Sequence, residues 1–280
     1  MFLDKSRINP QLANPIAILK ADVYSSMHAL LLAFLIDAGI QFLFWLLSSI
    51  FATEKLFDLS GALTFHAIAI TLLLIDPRSW RQVAAAIGVC VWAARLGGFL
   101  FLRVLRLPDR RFDALKTPVM QLVPFSAQIV WIFLTLLSLT CLMAEQDTRG
   151  FMWSDAIGAI VFIGGLVFET VADAQKYQFK KEKPSDFVST GVWRYSRYAN
   201  YFGELTVWLG MFVFCAGGYA QNWQYVSVVS PVFVFVLLWF GSGIALSEKN
   251  AQLRYGQRED YQEYVRVTSK FVPWPPGSRI

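Results

Sequence analysis

The sequence predicts an all-α polytopic membrane protein with about seven transmembrane helices. Hydrophobic residues make up 56% of its 280 residues and charged residues only 16%, and the mean hydropathy is +0.46. A soluble domain carries roughly 25% charged residues. The apolar residues also form continuous runs, whereas the strands of a transmembrane β-barrel alternate between apolar and polar residues.

Seven apolar runs are each long enough to cross about 30 Å of hydrocarbon as a helix. The second contains Ser60, Thr64 and His66, and the fifth ends near Glu169 and Asp173, so these two are the hardest to delimit. The predicted spans cover residues 27–52, 59–76, 82–102, 119–144, 153–172, 201–220 and 225–247.

Polar segments flank this transmembrane domain, which we place at residues 27–247. Residues 1–26 carry scattered charges and no compact apolar stretch before a cleavage site, so we expect a tail or an interfacial helix rather than a signal peptide. Residues 248–280 are polar and include Tyr261 and Tyr264. They are expected to form either a solvated cytoplasmic helix or a lid over a ligand.

The charges of the loops predict the orientation of the chain. With seven spans, 18 Lys and Arg residues fall on one side of the membrane and six on the other. The side richer in Lys and Arg is normally cytoplasmic. We therefore expect the N-terminus outside and the C-terminus in the cytoplasm, in a bacterial inner membrane. Topology also accounts for the basic residues without a nucleic acid partner.

Neither a disulfide nor a metal site is expected. Cys90, Cys141 and Cys215 fall within predicted spans and show no CxxC spacing, so they are interpreted as small apolar residues. His28 and His66 lie far apart in the sequence and have no carboxylate at metal-binding spacing.

Arginines follow one broad flank of the third span towards its cytoplasmic end: Arg95, Arg103 and Arg106. Arg95 is the deepest and therefore the most costly to leave unpaired. Gly97 and Gly98 beside it would allow another helix or a ligand to approach closely. For Arg106, contact with lipid phosphates is an equally good interpretation.

Charged residues also mark the end of the fifth span. Glu169 and Asp173 lie one helical turn apart, as do Lys176 and Lys180. Acids followed by bases suit the dipole of a helix that ends in the cytoplasm. The carboxylates can be solvated, can pair with an arginine of the third span, or can accept hydrogen bonds from a ribose or an amide.

The most informative segment is residues 191–204, GVWRYSRYANYFGE, which runs directly into an apolar span. If it is helical, Arg197, Asn200 and Glu204 share one face. An interfacial aromatic belt explains its tyrosines but not Asn200 and Glu204. A cation, an amide and a carboxylate on one face predict a site for an anionic ligand at the cytoplasmic surface.

At these residues the chain resembles the steroid 5α-reductase C-terminal domain family. The resemblance is carried by the box TGVWRYSRYANYFGE, by the segment Asp173 to Lys180, and by the tail SGIALSEK…YQEYVRVTSKFVPWP. RLGGFLFLR…DRRF adds weaker support. The match covers roughly residues 90–276, so the cofactor-binding half of the membrane domain is residues 90–247.

The resemblance implies a seven-helix reductase that uses NADPH to saturate a C=C bond conjugated to a ketone, in a steroid or a similar unsaturated lipid. It places Asn200 and Glu204 near the nicotinamide half of the cofactor. The cofactor candidates, including Glu169 and Arg197 from the patterns above, are Arg103, Arg106, Glu169, Asp173, Lys180, Arg197, Asn200, Glu204 and Tyr264.

The chain departs from the family where the substrate is handled. Members active on steroids carry a catalytic Glu on an early helix, and the early spans here offer only Asp37, His66 and boundary acids. Trp92 stands where a partner Tyr is expected, and Glu169 where a cofactor-contacting Asn is expected. Tyr198 and the Ala that follows replace a His-Pro pair. The catalytic residues, the lipid and the oligomeric state therefore stay undefined.

Two other functions are compatible with the sequence. Isoprenylcysteine-type membrane methyltransferases share a similar box and an acid-to-tyrosine tail, but they bind S-adenosylmethionine, whose sulfonium is cationic. NADPH carries phosphates, which the 18 cytoplasmic Lys and Arg residues favour. A lipid-binding or transport protein would show internal repeats or paired broken helices, and the sequence shows neither.

Overall fold

The computed structural model describes residues 15–53, 55–75, 79–106, 117–145, 147–241 and 243–277, with the side chains of residues 15–26, 105 and 106 left out. This part of the chain is helical and contains no β-strand. Its helices are α1 (Pro15–Ile50), α2 (Leu56–Ile75), α3 (Trp80–Arg106), α4 (Pro118–Thr135), α5 (Leu137–Met143), α6 (Trp153–Glu182), α7 (Ala199–Ala216), α8 (Val229–Phe240), α9 (Ile244–Tyr255) and α10 (Glu259–Val267).

Seven helical stretches in the described residues are long and apolar enough to cross a membrane, which confirms the predicted fold class. The protein is an integral membrane protein. These stretches are Met27–Ile50, Leu56–Ile75, Trp80–Val104, Pro118–Thr135, Trp153–Glu182, Ala199–Ala216 and Asn222–Tyr255.

Two predicted spans are not single helices. The predicted span 119–144 divides into α4 and α5 because Leu136 leaves helical geometry, with a ψ of 0°. The predicted span 225–247 comprises part of a 3₁₀ turn at Asn222–Val228, then α8 and the start of α9. The break between α8 and α9 lies at Gly241 and Gly243, whose ψ angles of −126° and −104° are not helical.

Helix α6 extends to Glu182, well beyond the predicted end of the fifth span at residue 172. Asp155 in its first turn accepts a hydrogen bond from the Met152 amide at 2.7 Å, which caps the helix. Lys180 and Lys181 in its last turn suit the negative end of the helix dipole. The acids that the sequence placed at a helix end therefore lie inside a continuous helix.

Helices α6 and α7 pack backbone to backbone through glycines spaced seven residues apart on each helix. A Cβ on Gly203 would lie 2.7 Å from the Glu169 amide nitrogen, and one on Gly165 would lie 2.7 Å from the Val207 amide nitrogen. Gly158 and Gly210 meet the opposite helix in the same way. Small residues allow this close approach in membranes, where packing rather than solvent exclusion holds helices together.

The outer surface is apolar, and α1 buries a polar face. Phe42 and Leu35 are exposed, whereas Asp37, Gln41 and Ser48 on the same helix are buried. Gln41 bonds to Thr64 and Ser60 of α2, with Gln41 Nε2 to Thr64 Oγ1 at 3.0 Å and Ser60 Oγ to Gln41 Oε1 at 3.1 Å. This polarity fits a helix surrounded by lipid on one side and by protein on the other.

The C-terminal tail is packed against the 191–204 box rather than solvated. The Arg197 amide donates to the Ser269 carbonyl, and the Trp274 amide donates to the Tyr195 carbonyl, both at 2.9 Å. The ring of Phe271 is enclosed by aromatic rings of α7 and α8, 5.7 Å from Phe202 and 5.5 Å from Trp239 between centroids. The tail thereby fixes the start of α7.

Candidate functional site

The centre of the candidate site is an arginine held by two acids across helices α3 and α6. Arg95 Nη1 lies 2.7 Å from Glu169 Oε1, and Arg95 Nη2 lies 2.8 Å from Asp173 Oδ2. Arg95 Nε also donates to Thr170 Oγ1 at 3.0 Å. The sequence predicted that these carboxylates could pair with an arginine of the third span, and for Arg95 this is confirmed.

Two further donors complete the hydrogen bonding of these acids. Trp92 Nε1 donates to Glu169 Oε2 at 3.2 Å, and Asn200 Nδ2 donates to Asp173 Oδ1 at 3.2 Å. Each of the four carboxylate oxygens therefore has a donor. Carboxylates with this set of partners are held in fixed positions.

Beside this network lies a cavity of about 570 Å³. Its walls come from α2, α3, α4, α6, α7 and the end of α8, all in the half of the bundle that contains the end of α6 and the start of α7. This is the half that the loop charges assign to the cytoplasm. Volumes of about 300–1,000 Å³ are typical of small-molecule sites.

The charges in the cavity are separated along its length. Glu169, Asp173 and Glu204 lie beside Arg95, whereas Lys176 and Arg103 lie one to two helical turns nearer the ends of α6 and α3. Lys176 is exposed, and its ammonium lies 5.0 Å from the centroid of the Trp193 ring. These three acids are therefore deep in the cavity, and the bases are at its mouth, where Asp58 lies beside Arg103.

Glu204 and Lys176 lack the partners that the other charged groups have. Within the described residues, Glu204 forms no hydrogen bond or ion pair, and Lys176 forms none besides its contact with the Trp193 ring. Arg103 Nη2 lies 3.9 Å from Asp58 Oδ2, at the limit of an ion pair, and its side chain is 37% exposed. These groups are available to a ligand.

The inner end of the cavity is aromatic. The ring of Phe65 lies 5.0 Å from that of Trp92 and 5.2 Å from that of Trp131, in edge-to-face contacts. Trp208 packs behind Trp92 at 4.7 Å. Aromatic edge-to-face packing is rigid and apolar, so this end can hold a flat hydrocarbon.

The 191–204 box is fastened to α6 by its own residues. Gly191 has a φ of +62°, which a residue with a side chain adopts only with strain, and a Cβ there would lie 2.2 Å from Gln175 Oε1. The Val192 amide donates to Gln175 Oε1, and Trp193 Nε1 donates to the Ala172 carbonyl, both at 2.9 Å. These contacts place Asn200 opposite Asp173.

Five of the nine predicted cofactor residues line the cavity: Arg103, Glu169, Asp173, Asn200 and Glu204. Lys180, Arg197 and Tyr264 do not line it. The side chain of Arg106 lies outside the described residues. The cavity thus collects the residues of α3, α6 and α7 but not those that the tail contacts.

The expectation that Arg197 shares a face with Asn200 and Glu204 is wrong. Helix α7 begins at Ala199, so Arg197 precedes it. Its guanidinium instead pairs with Glu248 of α9 at 2.8 Å, and Lys270 of the tail pairs with the same carboxylate at 2.7 Å. Arg197 fastens the tail to the box.

Lys180 and Tyr264 also make structural contacts away from the cavity. Lys180 Nζ donates to the Asp186 carbonyl and lies 3.2 Å from the Tyr255 hydroxyl. Tyr264 donates its hydroxyl to the Trp193 carbonyl at 2.8 Å. Burial raises the pKa of Tyr264 above its usual value, so this phenol stays protonated and continues to donate at neutral pH.

Two contributors to the site, Lys176 and Trp92, are not among the residues predicted from the sequence. The spacing of Lys176, seven residues from Glu169 and three from Asp173, places all three on one helix face and is a signal in the sequence. No sequence signal indicates the bond between Trp92 and Glu169. Both residues face the cavity.

A second buried arginine lies at the other end of α3. Arg81 Nε and Nη2 bond to the two oxygens of Asp155, at 2.7 and 2.8 Å, and Arg81 Nη1 bonds to Asp147. Arg81 Nη2 also donates to the Gly150 carbonyl at 2.8 Å. Arg81 is fully buried. The sequence assigned Arg81 only to the basic residues of the outer side.

Comparison with known proteins identifies a family but no characterised relative. Searches of curated proteins and of solved structures found no match. The model of the family described as protein of unknown function DUF1295 matches residues 44–268, which include all the cavity-lining residues. This match covers well over half of the chain, and the protein therefore belongs to the DUF1295 family.

Proposed function

We propose that this protein is an integral membrane reductase that uses NADPH to saturate a C=C bond conjugated to a ketone in an apolar lipid. The observation that carries the proposal is the separation of charge along the cavity. Acids and an amide lie deep, uncommitted bases lie at the mouth, and aromatic rings close the inner end. NADPH has the same order of chemical groups.

The deep acids and the amide suit the nicotinamide end of the cofactor. Asn200 and Glu204 can both bond to a carboxamide or a ribose hydroxyl. The amide of Asn200 can donate and accept hydrogen bonds, and the carboxyl of Glu204 has no partner among the described residues. NADPH, when bound, would supply a hydride and become NADP⁺, whose nicotinamide ring is cationic. Carboxylates beside that ring stabilise the positive charge.

The bases at the mouth suit phosphates. Lys176 has an uncommitted ammonium group, and Arg103 is held only loosely by Asp58. Phosphate oxygens bind such groups with charge-assisted hydrogen bonds. Arg95 is less suited to this role, because three of its five N–H groups bond to Glu169, Asp173 and Thr170.

The aromatic end and the apolar walls suit the lipid. Trp131 is partly exposed and packs against the buried rings of Phe65 and Trp92, and the neighbouring walls from α2 and α4 are largely apolar. A substrate dissolved in the bilayer can reach such a cavity without crossing water. The resemblance of the box and the tail to the steroid 5α-reductase C-terminal domain family supports the same class of reaction.

S-adenosylmethionine-dependent methyl transfer is the second candidate. Its support is the group of carboxylates, which also suits a sulfonium cation. That ligand has no phosphate, however, and leaves Lys176 and Arg103 without a role at the mouth. A lipid-binding or transport function leaves both sets of charges without a role.

Native mass spectrometry of the purified protein, followed by binding titrations with NADPH and S-adenosylmethionine, tests the proposal. We expect bound NADP(H), a measurable Kd for NADPH, and at least tenfold weaker binding in Asn200→Ala, equivalent to about 1.4 kcal/mol. Asn250→Ala, on the exposed face of α9, is the control and should bind normally. Binding of S-adenosylmethionine alone, or of neither compound, would overturn the proposal.

A further inference from the structure

Four carboxylates line the cavity, Asp58, Glu169, Asp173 and Glu204, and only Glu204 has no partner among the described residues. Arg95, Trp92 and Asn200 supply a donor to each oxygen of Glu169 and Asp173. Glu204 receives no donor within the described residues. The catalytic Glu that the resemblance implies on an early helix is also missing from the sequence, so the source of the proton is the main gap in the proposed reaction.

The charged and titratable groups around Glu204 disfavour a further negative charge. Glu169 and Asp173 on α6 are its acidic neighbours, and Tyr201 on α7 lies nearby. The nearest cation, Arg95 on α3, is already held by both acids. The remaining bases, Lys176 and Arg103, lie one to two turns away at the mouth of the cavity. An uncompensated carboxylate inside an apolar span is costly, and a bound proton removes that cost.

We propose that Glu204 is the catalytic acid that protonates the substrate in the reduction described above. This inference rests on the proposed function. It assigns a role to the one acidic group lining the cavity that has no hydrogen bond or ion pair among the described residues, since Asp58 lies 3.9 Å from Arg103 and the other two acids are held by Arg95.

The step balances in atoms and electrons. Reduction of a conjugated C=C bond requires a hydride at the β-carbon, which the reduced nicotinamide supplies, and a proton at the α-carbon. The π electrons of the C=C bond move to the α-carbon and the carbonyl, and the O–H bond of Glu204 breaks as the new C–H bond forms. Glu204 is left as a carboxylate and regains its proton from water at the mouth of the cavity.

Charge is conserved locally by this arrangement. Before the reaction the reduced nicotinamide ring and Glu204 are both neutral, and afterwards a cationic ring faces an anionic carboxylate. The deep part of the cavity therefore keeps the same net charge throughout. Because buried charge separation is costly in a low dielectric, this pairing favours the product state only when acid and ring are close together.

Proton release on cofactor binding gives a test that is independent of turnover. The oxidised cofactor brings a cationic ring and should expel the proton of Glu204, whereas the reduced cofactor should not. Calorimetric titrations at pH 7 in buffers of different ionisation enthalpy measure the protons released. The phosphates ionise alike in both forms, so they cancel. We expect roughly one more proton released with NADP⁺ than with NADPH.

In Glu204→Gln this difference should vanish while both nucleotides still bind. Glu182→Gln, at the exposed end of α6, should behave like the wild type, as should Asp37→Asn, which alters the other buried acid that lacks a partner among the described residues. Infrared spectra of the wild type should show loss of a protonated carboxyl band on NADP⁺ binding. This measurement needs no variant and therefore holds even if Glu204→Gln folds poorly.

The outcomes separate this inference from the proposed function. If both nucleotides bind but release equal numbers of protons, or if Asp37→Asn rather than Glu204→Gln removes the difference, Glu204 is not the acid and the reductase proposal stands. If neither nucleotide binds the wild-type protein, the reductase proposal and the role of Glu204 are both overturned.

Discussion

Two arginines on α3, Arg81 and Arg95, each join that helix to acids of α6, and the acids that hold Arg95, Glu169 and Asp173, also line the cavity. They lie fourteen residues apart, and so do their partners Asp155 and Glu169, which gives the two bridges the same register along both helices. The spacing corresponds to about 21 Å of helix. Both regions therefore use an arginine of α3 bound to two carboxylates, and they differ in the residues and the space around that arginine.

The bridge at Arg81, here called the outer bridge, is closed to solvent. Arg81 and its partners Asp147 and Asp155 have essentially no exposed side-chain surface, and Arg81 also donates to the Gly150 carbonyl. The inner bridge is open, because the side chain of Arg95 is 15% exposed and a third carboxylate, Glu204, stands beside it. A closed ion network holds two helices together, whereas an open one with surplus acid can also receive a ligand.

Replacing Arg81 should have the largest effect on stability. Arg81→Leu leaves Asp147 and Asp155 buried without their cation, and we expect unfolding to become easier by about 3–5 kcal/mol. Denaturant titrations in detergent measure this change. Arg149→Leu changes an exposed residue two positions after Asp147, and its free energy of unfolding should stay within about 0.5 kcal/mol of the wild type. Equal stability of the two variants would show that the outer bridge is not structural.

Replacing Arg95 should lower the stability less than replacing Arg81 does, and it should weaken NADPH binding more. Arg95→Leu exposes its acids to a cavity that water can enter, so we expect a loss of about 1–3 kcal/mol. NADPH binding should disappear, because Glu169 and Asp173 lose their fixed positions and the site becomes more negative. The exposed Arg194→Leu serves as the control. Retained NADPH affinity in Arg95→Leu would mean that the inner bridge serves stability alone.

The contact between α6 and α7 that supports the inner bridge can be tested with neighbouring glycines. Gly165→Ala places a Cβ 2.7 Å from the Val207 amide nitrogen, whereas Gly164→Ala meets nothing within 4 Å. We expect Gly165→Ala to lose about 1–3 kcal/mol of stability. It should also weaken NADPH binding, because Glu169 lies one turn further along α6. Gly164→Ala should not lose stability, because Ala is the better helix former. A loss there equal to that of Gly165→Ala would argue against the close packing of α6 and α7 as the cause.

The sequence predicted the membrane architecture well because hydrophobic run length is a strong local signal. The seven spans and the polar box before α7 follow from it directly. The division at Leu136 and the break at Gly241 were not predicted, because a run of apolar residues fits a continuous and an interrupted helix equally well. Boundaries of this kind depend on packing with other helices.

Sequence spacing predicted part of the site, and tertiary packing decided the rest. Glu169, Asp173, Asn200 and Glu204 converge because each pair lies on one face of its own helix, which local periodicity reveals. Arg197 diverges because the chain before α7 is not helical and Glu248 attracts its guanidinium. The Arg81 network joins residues more than sixty positions apart, although its fourteen-residue repeat with the inner bridge is a signal in the sequence.

The smallest expected effect concerns Lys176, a cation without an ion-pair partner near the Arg95 bridge, which has no counterpart at the Arg81 bridge. Lys176→Ala removes an ammonium that contacts only the Trp193 ring among the described residues, so stability should hardly change. NADPH binding should weaken about tenfold, or about 1.4 kcal/mol, and its dependence on salt should become shallower, because one phosphate contact is lost. Lys181→Ala, exposed on the same helix, is the matched control for net charge. Fluorescence titrations at two salt concentrations measure both quantities. If Lys181→Ala weakens binding as much as Lys176→Ala, the effect is one of overall charge, and the mouth of the cavity does not hold the phosphates.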